Sequence, residues 1–253
     1  MIGFIIGGIL YGVDLERAAA VRAEVTQLEQ FNSAVNTFYN KFGWLPGDIP
    51  NPYAPNFGFL LRGNAEGEGD GNGVLEGVQN GAAAPGVIEG DGENMMFWQD
   101  LSQANLISEG PFSSATASAC QAPQELSPYF PSAKSGQSNF VMTFSSGGIN
   151  YFEVQAANRI GACVAREDYD NGLTPQQAYS IDEKIDDGNP LTGRVTAHIV
   201  DTYWYQVPQS TTGSSTTCLD QGGDSSNPWQ YSVDQNSGNL NCALSIQMQG
   251  AAR

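Results

Sequence analysis

The chain has 253 residues, of which 40% are hydrophobic, so it can bury a core of its own and wholesale disorder is disfavoured. Its 27 Asp and Glu residues outnumber 10 Lys and Arg residues, and the net charge of −17 argues against nucleic-acid binding because phosphate backbones repel such a surface. The 30 glycines indicate many turns and loops.

An apolar run, IGFIIGGILYGV, occupies residues 2–13. As a helix it would be about 18 Å long, whereas a bilayer core is about 30 Å thick. The run also lacks the basic start and the cleavage site of a signal peptide. It looks like the second half of a membrane helix, and we expect the first half to be missing from this sequence.

An amphipathic stretch at 14–42 continues the same helix. Its apolar residues recur at steps of three and four, which places them on one helix face: Leu15, Ala18, Val21, Val25, Leu28, Phe31, Val35, Phe38 and Phe42. Gly43, with Pro46 just beyond, signals the end of the helix. Because a helix of about 60 Å is longer than a small domain is wide, its first part is expected to protrude or to pack against other chains.

The remainder, 43–253, predicts an acidic globular head on this helical stalk. Two shorter helices are expected at 93–107 and 173–187, the second capped by Thr174 with Pro175 at its first position. β-branched and aromatic residues predict strands at 139–143, 149–154, 195–205 and 240–248.

Four cysteines are widely spaced and form no CxxC pair: Cys120, Cys163, Cys218 and Cys242. With one histidine, His198, a zinc site is disfavoured, and the even cysteine count indicates disulfides and an oxidising compartment. Three pairings are possible. We favour Cys120–Cys163 and Cys218–Cys242, because neighbours in sequence close the smaller loops; four free thiols are the alternative.

No catalytic constellation stands out. His198 lies in an apparent strand, far in sequence from Cys163 and the serines, and no nucleophile elbow, HExxH or phosphate-binding loop occurs. Among 27 acidic residues, pairs suited to glycoside hydrolysis arise by chance. We therefore expect a protein that is not an enzyme and has no catalytic or cofactor-binding residues.

The best local signal is an acidic loop, NAEGEGDGNGVLEG, at 64–77. Oxygen-bearing side chains alternate there with glycines, as in calcium loops: Glu68, Asp70, Asn72 and Glu76. The pattern is incomplete, because its first position is Glu and its twelfth would be Gln79. Glu66, Asp91 or Glu93 could supply further ligands. Calcium is thus one interpretation, and a solvated, flexible acidic loop is the other.

A second acidic cluster gives a weaker metal signal. Its members are Asp168, Asp170, Asp186 and Asp187.

Several motifs follow the N-terminal helix in a fixed order. An LPGD turn lies at 45–48, GDGNGVLEG at 69–77, FWQDLSQANLI at 97–107 and LTPQQAYSIDEKIDDGNPLTGRV at 173–195. With the helix, this series resembles type IV pilin-like proteins and the pseudopilins of type II secretion. Members of that family begin with a basic leader and carry a glutamate at the fifth mature position, neither of which is in this sequence.

The resemblance implies an α+β fold, with a long N-terminal helix packed on an antiparallel β-sheet head, extended loops and two short helices. It divides the chain into the helix, 1–42, and a disulfide-bonded acidic head, 43–253. It also implies a structural subunit that waits in the bacterial inner membrane and then joins copies of itself or other pilins in an extracellular helical filament. The assembly helix would contribute its apolar side chains: Ile2, Phe4, Ile5, Ile6, Ile9, Leu10 and Val13.

Two alternatives remain open at this point. One is a low-abundance, calcium-stabilised tip or adhesin protein of the same family. The other is a secreted hydrolase with an unrelated N-terminal helix.

Overall fold

The computed structural model confirms the α+β fold, with one long helix against an antiparallel sheet. The described residues are 2–63, 69–79, 82–84, 92–113, 127–136, 138–157, 169–170, 172–198, 218–221, 226–236 and 238–250. Within them, side chains are described from Gly12 onward, except those of 78–79, 82–84, 157, 169–170, 198 and 235–236.

Helix α1 runs from Ile2 to Phe42 and has two parts. Residues 12–19 are exposed throughout, and burial against the head begins at Val21. From there the predicted apolar face is confirmed, since Leu28, Phe31 and Phe38 are at most 3% exposed. Leu15 and Ala18, on the same predicted face, are exposed.

Four strands form the main antiparallel sheet: β3 Asn139–Ser146, β4 Ile149–Ala157, β6 Val195–His198 and β9 Ala243–Gln247. Their order across the sheet is β3–β4–β9–β6. Gly147 and Gly148, both at positive φ, make the two-residue turn between β3 and β4. All four predicted strands are found. The predicted strand 195–205 is described only to His198, and the rest of it lies outside the described residues.

Two helices of eleven residues flank the sheet: α3, Glu93–Gln103, and α4, Pro175–Ile185. The predicted capping box of α4 is present, because the Thr174 hydroxyl accepts from the Gln177 N–H and the Gln177 side chain accepts from the Thr174 N–H. Both helices are shorter than predicted. Helix α3 ends early because Asn105 adopts a left-handed φ of 55° and the Leu106 N–H bonds to the Leu101 carbonyl.

The described part of the head also contains shorter elements. They are helices α2 Tyr53–Asn56 and α5 Val233–Asn236, and strands β1 Gly77–Gln79, β2 Ala82–Ala84, β5 Tyr169–Asp170, β7 Leu219–Asp220 and β8 Gln230–Tyr231. Strand β5 pairs with the end of β4, while β1 pairs with β2 and β7 with β8. A disulfide joins Cys218 to Cys242, the pairing that sequence proximity favours. Cys120 and Cys163 lie outside the described residues.

Aromatic side chains join α1 to the rest of the core. Phe31 meets Trp98 of α3 edge-on at a centroid distance of 4.8 Å, and lies 6.3 Å from Phe152 of β4. Near the end of α1, Phe38 lies 5.3 Å from Phe59 of the following loop. Each such pair adds about 0.5–1.5 kcal/mol beyond area burial. This packing fixes the second part of α1 against the LPGD turn and α3, where the acidic loop also lies.

Candidate metal centre

The LPGD turn at 45–48 lies in the core beside the start of α3. Leu45 and Ile49 are buried around it, and Gly47 adopts a φ of 87°. A Cβ on Gly47 would stand 2.4 Å from the Glu93 carbonyl oxygen, so only glycine fits there. The turn can therefore lie directly against the start of α3. Asp48, its last residue, is 1% exposed and faces the acidic loop.

The acidic loop folds back onto Asp48 through its backbone. The Gly71 N–H donates to Asp48 Oδ1 at 2.6 Å, and the Gly73 N–H donates to Asp48 Oδ2 at 2.8 Å. Gly71 and Gly73 both have positive φ, at 79° and 84°. These glycines let two N–H groups, one residue apart, point at one carboxylate, which fixes the loop on the LPGD turn.

Glu93, the first residue of α3, holds the two flanks of the same loop. Its Oε1 accepts from the Gly69 N–H at 2.9 Å, and its Oε2 accepts from the Glu76 N–H at 3.0 Å. The Asn150 side chain of β4 also holds the loop, because its Oδ1 accepts from the Leu75 N–H at 2.8 Å. The loop is therefore anchored from the turn, the helix and the sheet.

Three carboxylates converge at this point. One oxygen each of Asp48, Asp70 and Glu93 lie within 4.8 Å of one another. Asp48 and Glu93 are buried and Asp70 is exposed, so the cluster opens to solvent on the Asp70 side. Burial raises the pKa of Asp48 and that of Glu93. The Asp70 charge raises both further, and the Asp48 charge also raises the pKa of Glu93. In the described part of the chain, none of the three pairs with a Lys or Arg side chain.

Such an arrangement can take up a cation. Hard carboxylate oxygens suit calcium, which binds six to eight oxygens and accepts waters among them. A bound cation would favour the ionised carboxylates and so remove the electrostatic cost of holding them together. Without a cation, Asp48 and Glu93 relieve part of that cost by retaining protons.

The predicted ligand set is only partly brought together. Asp70 belongs to the cluster, while the Glu76 carboxylate is outside it and accepts from Asn72 Nδ2 at 3.2 Å. Asn72 closes the loop internally, since its Oδ1 accepts from the Val74 N–H at 2.7 Å. Glu68 lies outside the described residues. Sequence reasoning missed Asp48 and treated Glu93 as a spare ligand, because nothing in their spacing shows that these residues meet.

No protein-family model, curated protein or solved structure matches this chain. The resemblance to pilin-like proteins therefore stays a prediction that rests on the sequence motifs.

Two members of the second predicted cluster, Asp186 and Asp187, meet Asp182, which the sequence did not single out. Asp182, Asp186 and Asp187 bring their carboxylate oxygens within 4.8 Å of one another. Burial raises the pKa of Asp182 to about 6. Asp168 and the side chain of Asp170 lie outside the described residues.

Protein donors already occupy this second cluster. The Tyr231 hydroxyl donates to Asp182 at 2.7 Å, the Thr192 hydroxyl donates to Asp187 at 2.8 Å, and Asp186 accepts from the Arg194 N–H. These bonds give the cluster a structural role in closing the loop between α4 and β6.

The assembly residues predicted in the apolar run have a helical backbone. Side chains up to residue 11 lie outside the described residues, and Val13 is 39% exposed. Among the described residues, no helix combines the length and apolar character that a membrane crossing requires.

Proposed function

We propose that this chain is a structural subunit of a type IV pilus-like or type II secretion pseudopilus filament, assembling through its N-terminal helix with copies of itself or with other pilins. The proposal rests on one observation: helix α1 has an exposed part and a part packed on the head. Its second part is packed on the head from Val21 to Phe38, while residues 12–19 are exposed. A subunit of this kind would occupy the inner membrane before assembly and the cell exterior afterwards.

The exposed part of α1 suits helix–helix packing. Leu15 is 61% exposed and Val13 is 39% exposed, on a helix whose preceding residues are nearly all apolar. Burying a Leu side chain stabilises an assembly by about 1.5–3 kcal/mol. Bundling such helices with those of neighbouring subunits would remove this surface from water and leave the acidic heads outside.

Labelling of surface filaments tests the proposal. Filaments sheared from the producing cells should react with an antibody raised against the head, and Leu15→Asp should abolish them while leaving the melting temperature of the purified chain unchanged. Thr26→Asp is the matched control, because Thr26 is exposed on the same helix within the head-packed part. Absence of the chain from sheared filaments, or normal assembly of Leu15→Asp, would contradict the proposal.

A second candidate function is a calcium-stabilised tip or adhesin protein of the same filament. The cluster of Asp48, Asp70 and Glu93 favours it, because calcium there would lock the acidic loop onto the head. Immunogold label confined to filament ends would support the tip role, and label along the shaft would support the main subunit role.

A thermal melt tests the calcium component by itself. Excess calcium should raise the melting temperature relative to a chelator, and Asp48→Asn should remove the difference. Asp234→Asn, at an exposed site on α5, should retain the difference. Equal melting temperatures with calcium and with chelator would contradict the calcium proposal.

A further inference from the structure

A groove between α1 and α4 concentrates positive charge on an otherwise acidic chain. We define the α1–α4 groove as the cavity of about 250 Å³ lined by Arg17, Arg22 and Lys184, with Asp14 as its acidic member. A second cavity, of about 240 Å³, shares Lys184 and adds Arg194 and Glu29. The two cavities follow one side of α1 from its exposed part to the head.

In the described part of the chain, most basic residues line these two cavities. Seven of the ten Lys and Arg residues belong to the described part, and four of these seven line the two cavities. Of the others, Arg62 is buried in an ion pair with Asp100. Among the described residues, Arg17, Arg22 and Lys184 take part in no ion pair, so their charges are available to a partner.

The polar wall of the groove belongs to the first turn of α4. The capping box at that end of α4 engages the Gln177 N–H and the Thr174 N–H, and Pro175 has no N–H. Val21, which is 4% exposed, belongs to the floor. The side chains of Arg17, Arg22 and Lys184 are therefore the groups that can attract an anionic partner.

The positive charge of the α1–α4 groove indicates a partner that presents negatively charged groups. A chain with a net charge of −17 repels its own copies unless local cations meet carboxylates at the contact. Exposed carboxylates are plentiful on the head: Asp70, Glu183, Asp187 and Asp234. Arg17 also lies in the exposed part of α1, next to the apolar side chains that the assembly proposal buries.

We propose that the α1–α4 groove docks carboxylate side chains of a neighbouring copy of this chain. The inference rests on the proposed function, because it takes the neighbour to be an adjoining filament subunit. Arg17 and Arg22 attract and orient the carboxylates, and Lys184 pairs with one of them at the head end. Because the groove is solvent-accessible, the contact weakens as salt rises.

Zero-length cross-linking tests the docking directly. A carbodiimide couples a lysine amine to a carboxylate in contact with it, and the chain has three lysines, Lys41, Lys134 and Lys184. The full chain is mixed in unlabelled and nitrogen-15-labelled forms, so that mass spectrometry separates links between copies from links within one copy. The expected product joins Lys184 of one copy to an Asp or Glu of another, and its yield falls at high salt.

Charge reversal supplies the matched comparison. Arg17→Glu with Arg22→Glu changes two exposed groove residues and should reduce the Lys184 link between copies at least tenfold, with an unchanged melting temperature. Lys41→Glu reverses an exposed cation on the same helix outside the groove and should leave the link intact. Links of Lys184 only within one copy, or an undiminished yield in the double variant, would overturn the inference.

The filament test separates this inference from the proposed function. If the Arg17→Glu, Arg22→Glu variant forms filaments as abundant as those of the unaltered chain, the docking inference fails while the filament proposal stands. If the Lys184 link forms between copies but sheared filaments lack the chain, the filament proposal fails and the docking between copies stands.

Discussion

Arg62 Nη2 lies 2.5 Å from Asp100 Oδ2, and each side chain is 1% exposed. The same Asp100 oxygen accepts from the Gly47 N–H at 2.7 Å, while Arg62 Nε donates to the Ile49 carbonyl at 3.2 Å. This buried ion pair therefore joins α3 to both sides of the LPGD turn. It holds Asp48 in the position from which its carboxylate binds the acidic loop.

We predict that Arg62→Met destabilises the head by roughly 3–5 kcal/mol, because it leaves the Asp100 carboxylate buried without its cation. The double variant Arg62→Met, Asp100→Leu should recover part of this loss, since neither charge then remains. Urea unfolding of both variants measures the effect. Arg17→Met, at an exposed site in the first part of α1, is the control and should change the unfolding free energy by less than about 0.5 kcal/mol. A loss in the double variant as large as in the single one would show that the charge is not the cause.

The sequence predicts the locally determined features of this fold. The face of α1 from Leu28 to Phe38 and the capping box of α4 depend on residues a few positions apart, so periodicity and spacing reveal them. The end of α3 at Gln103 was missed, because the continuing apolar residues Leu106 and Ile107 obscure the left-handed Asn105.

The candidate site depends on long-range contacts, which is why the sequence reveals it only in part. Asp48 bonds to backbone groups 23 and 25 residues later in the chain. Glu93 bonds to groups 17 and 24 residues earlier. The glycine-alternating acidic pattern does predict a wrapped loop, and the LPGD motif predicts a turn. Only the packing of α1 and α3 places the turn, the loop and Glu93 together.

Glu24 is an ionisable residue on the buried face of α1, and its titration should change the stability of the folded chain. Its Oε2 accepts from the Ser135 N–H at 2.8 Å, and burial raises its pKa despite the nearby Lys134. Because the folded chain holds this proton more tightly than the unfolded chain, its stabilising contribution is present below the unfolded-state pKa of about 4.3 and is lost as the pH rises through the raised folded-state pKa. Glu24→Gln should therefore flatten the dependence of the melting temperature on pH. A pH dependence of the melting temperature unchanged by Glu24→Gln would contradict this prediction.

Two glycines in the acidic loop should differ in their tolerance of alanine. A Cβ on Gly69 would stand 2.4 Å from the Ile49 carbonyl oxygen, whereas a Cβ on Gly73 would have no atom within 4 Å. Both have positive φ, at 69° and 84°, so both substitutions carry a backbone penalty of about 1 kcal/mol. Gly69→Ala should cost at least about 2 kcal/mol more than Gly73→Ala by urea unfolding, because the backbone contact cannot be relieved. Equal costs would show that the loop moves freely away from the LPGD turn.

The adjacent buried carboxyl groups of Asp48 and Glu93 should make the metal-free head less stable as the pH rises. Burial raises the pKa of Asp48 to about 6, and burial together with the Asp48 charge raises the pKa of Glu93 further above its usual value. The folded chain thus keeps protons that the unfolded chain releases near pH 4. The stabilisation is complete below about pH 4 and is lost as the pH rises through 6 and beyond, by roughly 1.4 kcal/mol per unit of pKa difference.

Melting in the presence of a chelator between about pH 5 and 8 measures this loss, and Glu93→Gln should reduce its slope because one of the two carboxyl groups is gone. The slope is the readout, since the variant also loses an acceptor for a loop N–H and is less stable at every pH. Asp70 faces the pair from the exposed side, so its charge adds to the repulsion as the pair ionises. If the cluster binds calcium, excess calcium should restore more stability near pH 8 than near pH 5, because fewer protons then compete with calcium for the carboxylates. A pH slope unchanged by Glu93→Gln would show that other carboxyl groups control the stability of the head.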